Sequence, residues 1–272
     1  MSIEMKNHIC VTCGVQYVAT AQPPEHCRIC EDDRQYVNSK GQTWATLKEL
    51  SADRRNVLRT LEPGLTGIRT EPQFAIGQQA HLIQSPRGNV LWDCISFIDD
   101  ATVNVVRALG GISAIGISHP HFYSSMIEWS RAFNAPIYLH ISNLEWVMRP
   151  DSSLVYWDGE TNSLGDGLTL IRCGGHFPGS TVLHWAAGAA GRGALFTSDT
   201  INVVADRRYV SFLYSYPNQI PLAASAIRGI VHAVEPFEYD RIYGGWLDSV
   251  VPRDAKAGVK FSADRYIRAV QE

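Results

Sequence analysis

The amino-acid sequence predicts a layered α/β domain preceded by a small cysteine-rich segment. Short apolar runs typical of strands alternate with helical patterns through the middle of the chain, as in α/β domains. The chain has 272 residues, of which 45% are hydrophobic, so it can bury a large core. Four of its six cysteines fall within the first 30 residues, in a segment too short to form a core of its own.

The charge balance limits the classes of partner. The 24 Lys and Arg residues against 27 Asp and Glu residues give a net charge of −3, which argues against nucleic acid and anionic membranes as partners. No apolar run approaches the roughly 18 residues of a membrane-spanning helix. The first residues lack the apolar region of a secretory signal, so we expect a cytoplasmic protein.

The four early cysteines form two C-x-x-C pairs separated by 13 residues: Cys10, Cys13, Cys27 and Cys30. Each pair directs two thiolates to one point, and four thiolates satisfy a tetrahedral Zn²⁺ ion. Two disulfides are the alternative, but they are rare in a reducing compartment. The pattern resembles zinc ribbons and also rubredoxins, which bind iron, but the second pair lacks the proline and glycine usual in rubredoxins. We therefore expect a zinc ribbon over residues 1–37 that is folded by its metal.

The remaining chain divides into a short connection and a large domain. Residues 38–64 are interpreted as a linker and a helix, with the helix over 43–60, and residues 65–272 as the main domain. In its first half the expected elements are strands at 79–84, 90–94, 112–118 and 136–141 and helices from Asp100 and over 126–133, the latter begun by a Ser125–Glu128 capping box. In its second half they are strands at 168–173, 181–185 and 194–197 and helices from Pro221 and over 262–270.

Three histidines and an aspartate stand where strands end. His119 and His121 follow the strand at 112–118, and if the chain stays extended there, both imidazoles project to the same side. His176 lies in the loop Gly174-Gly175-His176-Phe177-Pro178-Gly179-Ser180, and Asp199 follows the strand at 194–197. Imidazole and carboxylate groups are common metal ligands.

These signatures resemble the metallo-β-lactamase fold hydrolases, a superfamily that includes glyoxalase II and persulfide dioxygenases. In that superfamily an H-x-H-x-D-H motif follows a strand, a third histidine lies in a Gly-His-x-Pro-Gly-Ser-like loop, and an aspartate ends a later strand. The resemblance covers about residues 65–270 and implies a four-layer αββα sandwich. It further implies that His119, His121, His176 and Asp199 bind a metal ion, either Zn²⁺ or Fe²⁺.

The sequence departs from the motif at the second metal site. Tyr123 and Ser124 stand where the superfamily has its Asp-His pair, and Trp246 stands near the position of a late histidine. We therefore expect one metal ion. For catalysis, Asp199 has to swing away or the ion has to accept a fifth ligand, so that water can bind. Tyr123 either donates to the reacting group or fills the volume of the lost site.

Three functional hypotheses follow. The first is a metal-dependent hydrolase that acts on an ester, a thioester or a similar bond of a small-molecule substrate. The second is a mononuclear non-haem iron redox enzyme similar to persulfide dioxygenases, since two histidines and a carboxylate suit iron. The third is a non-catalytic metal-binding or scaffold protein whose ribbon docks a protein partner.

Overall fold

The computed structural model describes residues 4–271. The chain divides into two compact units. The first comprises the described residues up to Tyr138 together with Leu144–Val155, and the second comprises Leu139–Asn143 and the chain from Tyr156 onward. Across residues 4–271, no helix is both long enough and apolar enough to cross a membrane.

The first unit contains a small antiparallel sheet and most of a large mixed sheet. The small sheet is formed by β1 (Lys6–Cys10), β2 (Gln16–Thr20) and β3 (Trp44–Ala45), in the order β2-β1-β3. The strands of the large sheet are β4 (Arg55–Glu62), β5 (Leu65–Glu71), β6 (Ala80–Ile83), β7 (Val90–Trp92), β8 (Ala114–Gly116), β9 (Ile137–His140) and β10 (Leu154–Trp157). Their order is the reverse of the chain order, from β10 to β4. Strands β4 to β7 pair antiparallel, and β7, β8 and β9 pair parallel.

Three helices belong to the first unit: α1 (Leu47–Leu50), α2 (Asp100–Ala108) and α3 (Met126–Phe133). The predicted bounds of α3 are confirmed. The predicted capping box at its start is wrong, because the Ser125 side chain makes no capping hydrogen bond. Helix α2 begins at Asp100, as predicted, and Asp99 caps it: the Asp99 carboxylate accepts from the Thr102 amide at 2.8 Å.

The helix expected over residues 43–60 is wrong. That segment forms β3, the single turn α1 and most of β4. Strand β4 pairs with β5 along its whole length, from Arg55 opposite Glu71 to Glu62 opposite Leu65. The Pro63-Gly64 pair makes the reversal, and Gly64 has a φ of 80°. Cross-strand pairing therefore outweighs the helical spacing that the segment has in sequence.

The small cysteine-rich sheet shares a core with the rest of the first unit. Ile9 of β1 is fully buried and packs in one cluster with Leu50, Phe74 and Phe97, which lie outside the small sheet. Because burying apolar area stabilises both contributors, the cysteine-rich segment is integrated into the first unit.

The second unit is built on a six-stranded sheet. The unit has further short strands outside this sheet. All its strands in chain order are β11 (Thr161–Gly165), β12 (Leu168–Arg172), β13 (Thr181–Trp185), β14 (Ala194–Phe196), β15 (Asn202–Val203), β16 (Val210–Ser211), β17 (Leu213–Ser215), β18 (Ile220–Pro221), β19 (Arg241–Tyr243) and β20 (Val250–Val251). The main sheet has the order β11-β12-β13-β14-β19-β20, while β15 pairs with β16 and β17 with β18.

The helices of the second unit are α4 (Gly188–Gly191), α5 (Ala224–Val234) and α6 (Ala255–Gln271). Helix α5 starts three residues after the predicted Pro221, because Pro221 pairs with Leu213 in a two-stranded ladder. Helix α6 starts seven residues before the predicted Ser262. Both helices pack on the sheet through Ile227, Ile230 and Val259, which are buried in one core with Leu195 and Ile242.

Candidate metal centres

The four early cysteines form one buried cluster inside the first unit. Their sulfur atoms all lie within 4.8 Å of one another. The Cys10–Cys30 and Cys13–Cys27 sulfur pairs are separated by 3.5 and 3.6 Å. A tetrahedron with Zn–S bonds of about 2.3 Å has edges of roughly 3.8 Å, so these separations fit one ion. All six cysteines are free in the described chain, and the alternative of two disulfides is wrong.

Hydrogen-bond donors surround the sulfur cluster. The Tyr17 hydroxyl donates to Cys27 Sγ at 3.4 Å, and the Gln42 amide donates to Cys10 Sγ at 3.2 Å. Burial, with a further contribution from Cys27, raises the pKa of Tyr17, which therefore remains a donor at neutral pH. Burial also raises the pKa of Cys13. Four buried thiolates repel one another, so a cation has to neutralise them before they can all ionise.

The first unit also holds two of the predicted histidine ligands. His119 and His121 are buried, with ring centroids 5.1 Å apart. His119 is extended, but a 3₁₀ turn over Pro120–Phe122 follows it. The two rings are therefore brought together by this turn and not by the extended chain that the sequence suggested. The hydroxyl of Ser118 lies 2.9 Å from Nδ1 of His119, which leaves Nε2 for a metal.

The support of this pair extends back to the end of β7. The Ser118 amide donates to the carboxylate of Asp93 at 2.8 Å. Asp93 is buried and has a φ of 60°, a conformation that aspartate tolerates better than most residues. Asp93 was not among the predicted site residues, although an aspartate directly after an apolar strand was a signal for it.

The second unit holds the other two predicted ligands. Nε2 of His176 lies 3.7 Å from Oδ2 of Asp199, and both side chains are buried. The other ring nitrogen, Nδ1, lies 3.1 Å from the carbonyl oxygen of Leu213 and can only donate to it, so Nε2 carries the lone pair. Two ligands of one tetrahedral zinc ion are about 3.4 Å apart, so the pair fits a shared ion.

The glycine- and serine-containing loop around His176 is closed by its own hydrogen bonds. The Phe177 amide donates to the Ser180 hydroxyl at 2.8 Å, and the Ser180 amide donates to the Phe177 carbonyl at 3.0 Å. Gly175 has a φ of 78°, and a Cβ atom there would lie 2.7 Å from Ile230. This glycine is therefore required both by the turn and by the packing of α5.

Tyr216 supports the His176–Asp199 pair and was also missed. Its hydroxyl donates to the backbone carbonyl of Asp199 at 2.8 Å, and its ring lies 5.8 Å from that of His176. Burial and the Asp199 carboxylate raise the pKa of Tyr216, so it stays a neutral donor. Sequence offers no signal for it, because Tyr216 is 17 residues from its partner in an irregular segment.

Tyr123, Ser124 and Trp246, which stand where the superfamily has ligands of a second metal, occupy different environments. Tyr123 is buried at the end of the 3₁₀ turn. The Ser124 hydroxyl accepts from Gln78 at 2.7 Å and donates to the Cys94 carbonyl at 3.1 Å. Trp246 is half-buried in the second unit. Trp157 packs edge-on against His140, with ring centroids 4.6 Å apart, and is buried.

Comparison with solved structures identifies the fold. The chain is similar to the DIM-1 metallo-β-lactamase, with a TM-score of 0.60 and 14% identity over 79% of this chain and 98% of that one. For VMB-1 the TM-score is 0.59 and the identity 14%, over the same shares of the two chains. For a metallo-β-lactamase from Cronobacter sakazakii the TM-score is 0.51 and the identity 17%, over 79% of this chain and 92% of that one. The chain thus has the α/β fold of the metallo-β-lactamases, which confirms the predicted fold class.

The chain is also 50% identical, over 268 residues, to the uncharacterized protein YmaE of Bacillus subtilis strain 168. The match covers 98% of this chain and 97% of that protein, so it includes the cysteine-rich segment as well as the main domain. No protein-family model matches the chain. The protein belongs to the family of YmaE.

Proposed function

We propose that the protein is a metal-dependent hydrolase of the metallo-β-lactamase superfamily with a single-metal site. In this proposal one divalent ion is bound by His119, His121, His176 and Asp199, the four residues that match the metal-binding motifs of the superfamily. The observation that carries the proposal is the buried His176–Asp199 pair, with its 3.7 Å separation and its fixed tautomer. The metallo-β-lactamase fold supports joining the two pairs, because the similarity extends over 79% of the chain.

The burial of the four groups supports a metal over a purely structural role. The residues His119, His121, His176 and Asp199 are each at most 4% exposed. A buried carboxylate has a large desolvation cost unless a cation or several donors compensate it. Neutral imidazoles and a carboxylate form a ligand set that suits zinc and other divalent transition metals.

The proposed substrate is a small molecule that contains an ester, a thioester or a similar carbonyl group. When bound, a divalent ion polarises such a carbonyl and lowers the pKa of a coordinated water. His119, His121, His176 and Asp199 would hold such an ion. The Asp199 carboxylate, if released from the ion, would accept the proton of the attacking water.

We propose that Tyr123 also takes part in the reaction, as a proton or hydrogen-bond donor. A phenol next to the reacting group can protonate a leaving group or donate to a developing oxyanion. Tyr123 follows His121 by two residues and is buried at the end of the same 3₁₀ turn. This position places it near His119 and His121. The competing role, filling the volume of a lost second site, predicts no loss of activity on removal of the hydroxyl.

The single-metal assignment follows from the residues that take the place of the other ligands. Tyr123, Ser124 and Trp246 stand at or near positions where the superfamily motif has metal-binding side chains. Both hydrogen-bonding capacities of the Ser124 hydroxyl are used, toward Gln78 and the Cys94 carbonyl. A hydroxyl engaged in this way is a poor replacement for an imidazole ligand.

Zinc is the proposed metal at both centres. The four-cysteine cluster has a closed set of soft ligands, as in structural zinc sites. At the histidine site, two histidines and one carboxylate also suit Fe²⁺, so an iron-dependent redox enzyme is the second candidate. Iron in the purified protein, together with oxygen uptake that depends on a sulfur substrate, would favour this candidate over the hydrolase.

Hydrolysis assays test the proposed activity. Protein purified without chelator is assayed with an aryl ester, a small thioester and a β-lactam, alongside the variants His121→Ala and His232→Ala. His232 is exposed on α5 and serves as the control histidine. We expect hydrolysis of at least one carbonyl substrate that His121→Ala abolishes and His232→Ala preserves. Turnover that survives His121→Ala would overturn the assignment of the activity to this site. No turnover with tightly bound metal would instead favour the scaffold function, with the ribbon docking a protein partner.

A further inference from the structure

We infer that the cysteine ribbon positions the loop that carries His119 and His121, so that the ribbon controls metal affinity at the histidine site. The cysteine ribbon comprises residues 6–45, beyond the predicted end at residue 37, because β3 completes its sheet. The histidine loop comprises residues 117–125. The inference rests on the proposed function, because it requires that these histidines bind metal. Its structural basis lies entirely within the first unit.

The first contact joins the ribbon directly to the histidine loop. The backbone amide of Gln16 donates to the carbonyl of Ser124 at 3.0 Å. Ser124 has a φ of 45°, a left-handed conformation that persists in a non-glycine residue only when its surroundings hold it. The Gln16 amide is one of the groups that hold it, together with Gln78 and the Cys94 carbonyl.

The position of the Gln16 amide is set by the first cysteine pair. Gln16 follows Cys13 by three residues. The turn between them is closed by hydrogen bonds from the Cys10 amide to the Val15 carbonyl at 3.0 Å and from the Gly14 amide to the Cys10 carbonyl at 2.8 Å. Without a cation the four buried thiolates would repel one another, so the first cysteine pair and its turn depend on bound metal. Loss of the ribbon metal would therefore release the donor that holds Ser124.

A second contact lies at the same turn. The Ser96 hydroxyl donates to the Gly14 carbonyl at 2.8 Å, and both groups are buried. Gly14 has a φ of 85°, and a Cβ atom at this position would lie 2.4 Å from the Ser96 hydroxyl oxygen. The close approach needs glycine, so the turn is built to fit this surface.

A third contact is a buried arginine that connects the ribbon to α3. Arg149 is 7% exposed, and its guanidinium donates both to the Gln16 side-chain oxygen and to the Glu128 carboxylate. Helix α3 begins at Met126, directly after the histidine loop. The Gln16–Arg149–Glu128 chain thus ties the ribbon to the element that ends this loop.

Together these contacts support the histidine loop at the position where the superfamily motif has the second pair of metal ligands. Ser124 replaces the histidine of that pair and bonds the ribbon through its carbonyl. The ribbon therefore supplies, through Gln16 and Arg149, rigidity that a second metal would otherwise give. We expect the histidine site to bind metal tightly only when the ribbon is loaded and docked.

Cobalt titration of the full-length apoprotein tests this coupling. Co²⁺ bound to thiolates gives an intense charge-transfer absorption, whereas Co²⁺ bound to histidine and carboxylate gives weak visible bands, so the two sites can be followed separately. The variants are Gln16→Leu and Arg149→Met, which remove the side-chain contact and keep every proposed ligand. The control is Arg131→Met. Arg131 lies on α3, as Glu128 does, but it pairs with Asp151 at 2.9 Å and not with the ribbon.

We expect two Co²⁺ per wild-type chain, with the thiolate site filled first. In Gln16→Leu and Arg149→Met the affinity of the histidine site should fall at least tenfold, with the thiolate site unchanged, and Arg131→Met should match the wild type within twofold. Unchanged histidine-site affinity in folded Gln16→Leu overturns the inference and leaves the proposed function intact. A wild-type chain that binds Co²⁺ through thiolates alone overturns the proposed function. Should Arg149→Met not fold, as judged by circular dichroism, Gln16→Leu alone decides.

Discussion

The Tyr216 hydroxyl donates a 2.8 Å hydrogen bond to the backbone carbonyl of Asp199, a proposed metal ligand. Removing this hydroxyl with Tyr216→Phe keeps the ring and frees the backbone that carries the carboxylate. Groups that orient metal ligands typically contribute about 10- to 100-fold to metal affinity. We expect Tyr216→Phe to weaken Zn²⁺ binding at the histidine site by that factor, measured by competition with a chromophoric chelator. Affinity equal to the wild type would mean that Tyr216 has a packing role only.

The Ser118 hydroxyl, 2.9 Å from Nδ1 of His119, sets the orientation of that ring. Ser118→Ala removes this partner and leaves the ring free to rotate, so we expect metal affinity at the histidine site to fall by about tenfold. Ser113→Ala is the control, since the Ser113 hydroxyl donates to the Asn89 carbonyl at 2.9 Å, just before β8, and contacts no proposed ligand there. Equal losses in both variants would point to a general effect on stability instead.

Tyr123→Phe separates the two roles considered for Tyr123. The substitution keeps the buried ring, so the fold and the metal content should not change. If the phenol is a proton donor, kcat should fall by about 10²- to 10⁴-fold. The expected result is this loss of kcat with KM nearly unchanged and full metal occupancy. A fully active Tyr123→Phe enzyme would assign the residue to packing.

The buried His81 makes stability depend on pH. Burial lowers its pKa to about 3, and the Gln79 amide lies 3.1 Å from its Nε2 atom. The unfolded chain takes up a proton at this residue below about pH 6.5, whereas the folded chain does not until about pH 3. Stability is therefore lost as the pH falls from 6.5 toward 3, by at most about 5 kcal/mol for this group.

His81→Gln removes the titrating group and retains a polar side chain. Denaturant unfolding of the two proteins between pH 7 and pH 4.5 should give a free energy of unfolding that falls less steeply for the variant. Because both proteins share the same metal ligands, the effect of ligand protonation cancels in the comparison. Parallel pH profiles would show that His81 is not protonated on unfolding in this range.

The parts of the fold that could be predicted are those with local signals. Helix α3 and β13 have the predicted bounds because an amphipathic pattern and an apolar run define them. The segment 43–60 could not be predicted in the same way. Its strand β4 forms because β5 lies alongside it, and this pairing partner is not visible in the helical spacing of the segment itself.

The proposed ligands could be identified because each lies in a short motif at a strand end. Their supporting residues could not. Tyr216 bonds Asp199 from an irregular segment, and Arg149 reaches Gln16 across 133 positions of sequence. Such contacts depend on how distant segments pack, and a single sequence has no periodicity or motif that records them.

Metal content measured on three proteins tests the central claim most directly. Wild type, His119→Ala/His121→Ala and Cys10→Ser/Cys13→Ser are purified without chelator and analysed for zinc and iron per chain by mass spectrometry. We expect two metal ions in the wild type. We expect one in the histidine variant, held by the cysteine cluster. The cysteine variant should lose the ribbon metal and, because the ribbon supports the histidine loop, should also hold less metal at the histidine site. A wild-type chain with a single ion that the histidine substitutions leave in place would show that the four proposed histidine-site ligands bind no metal.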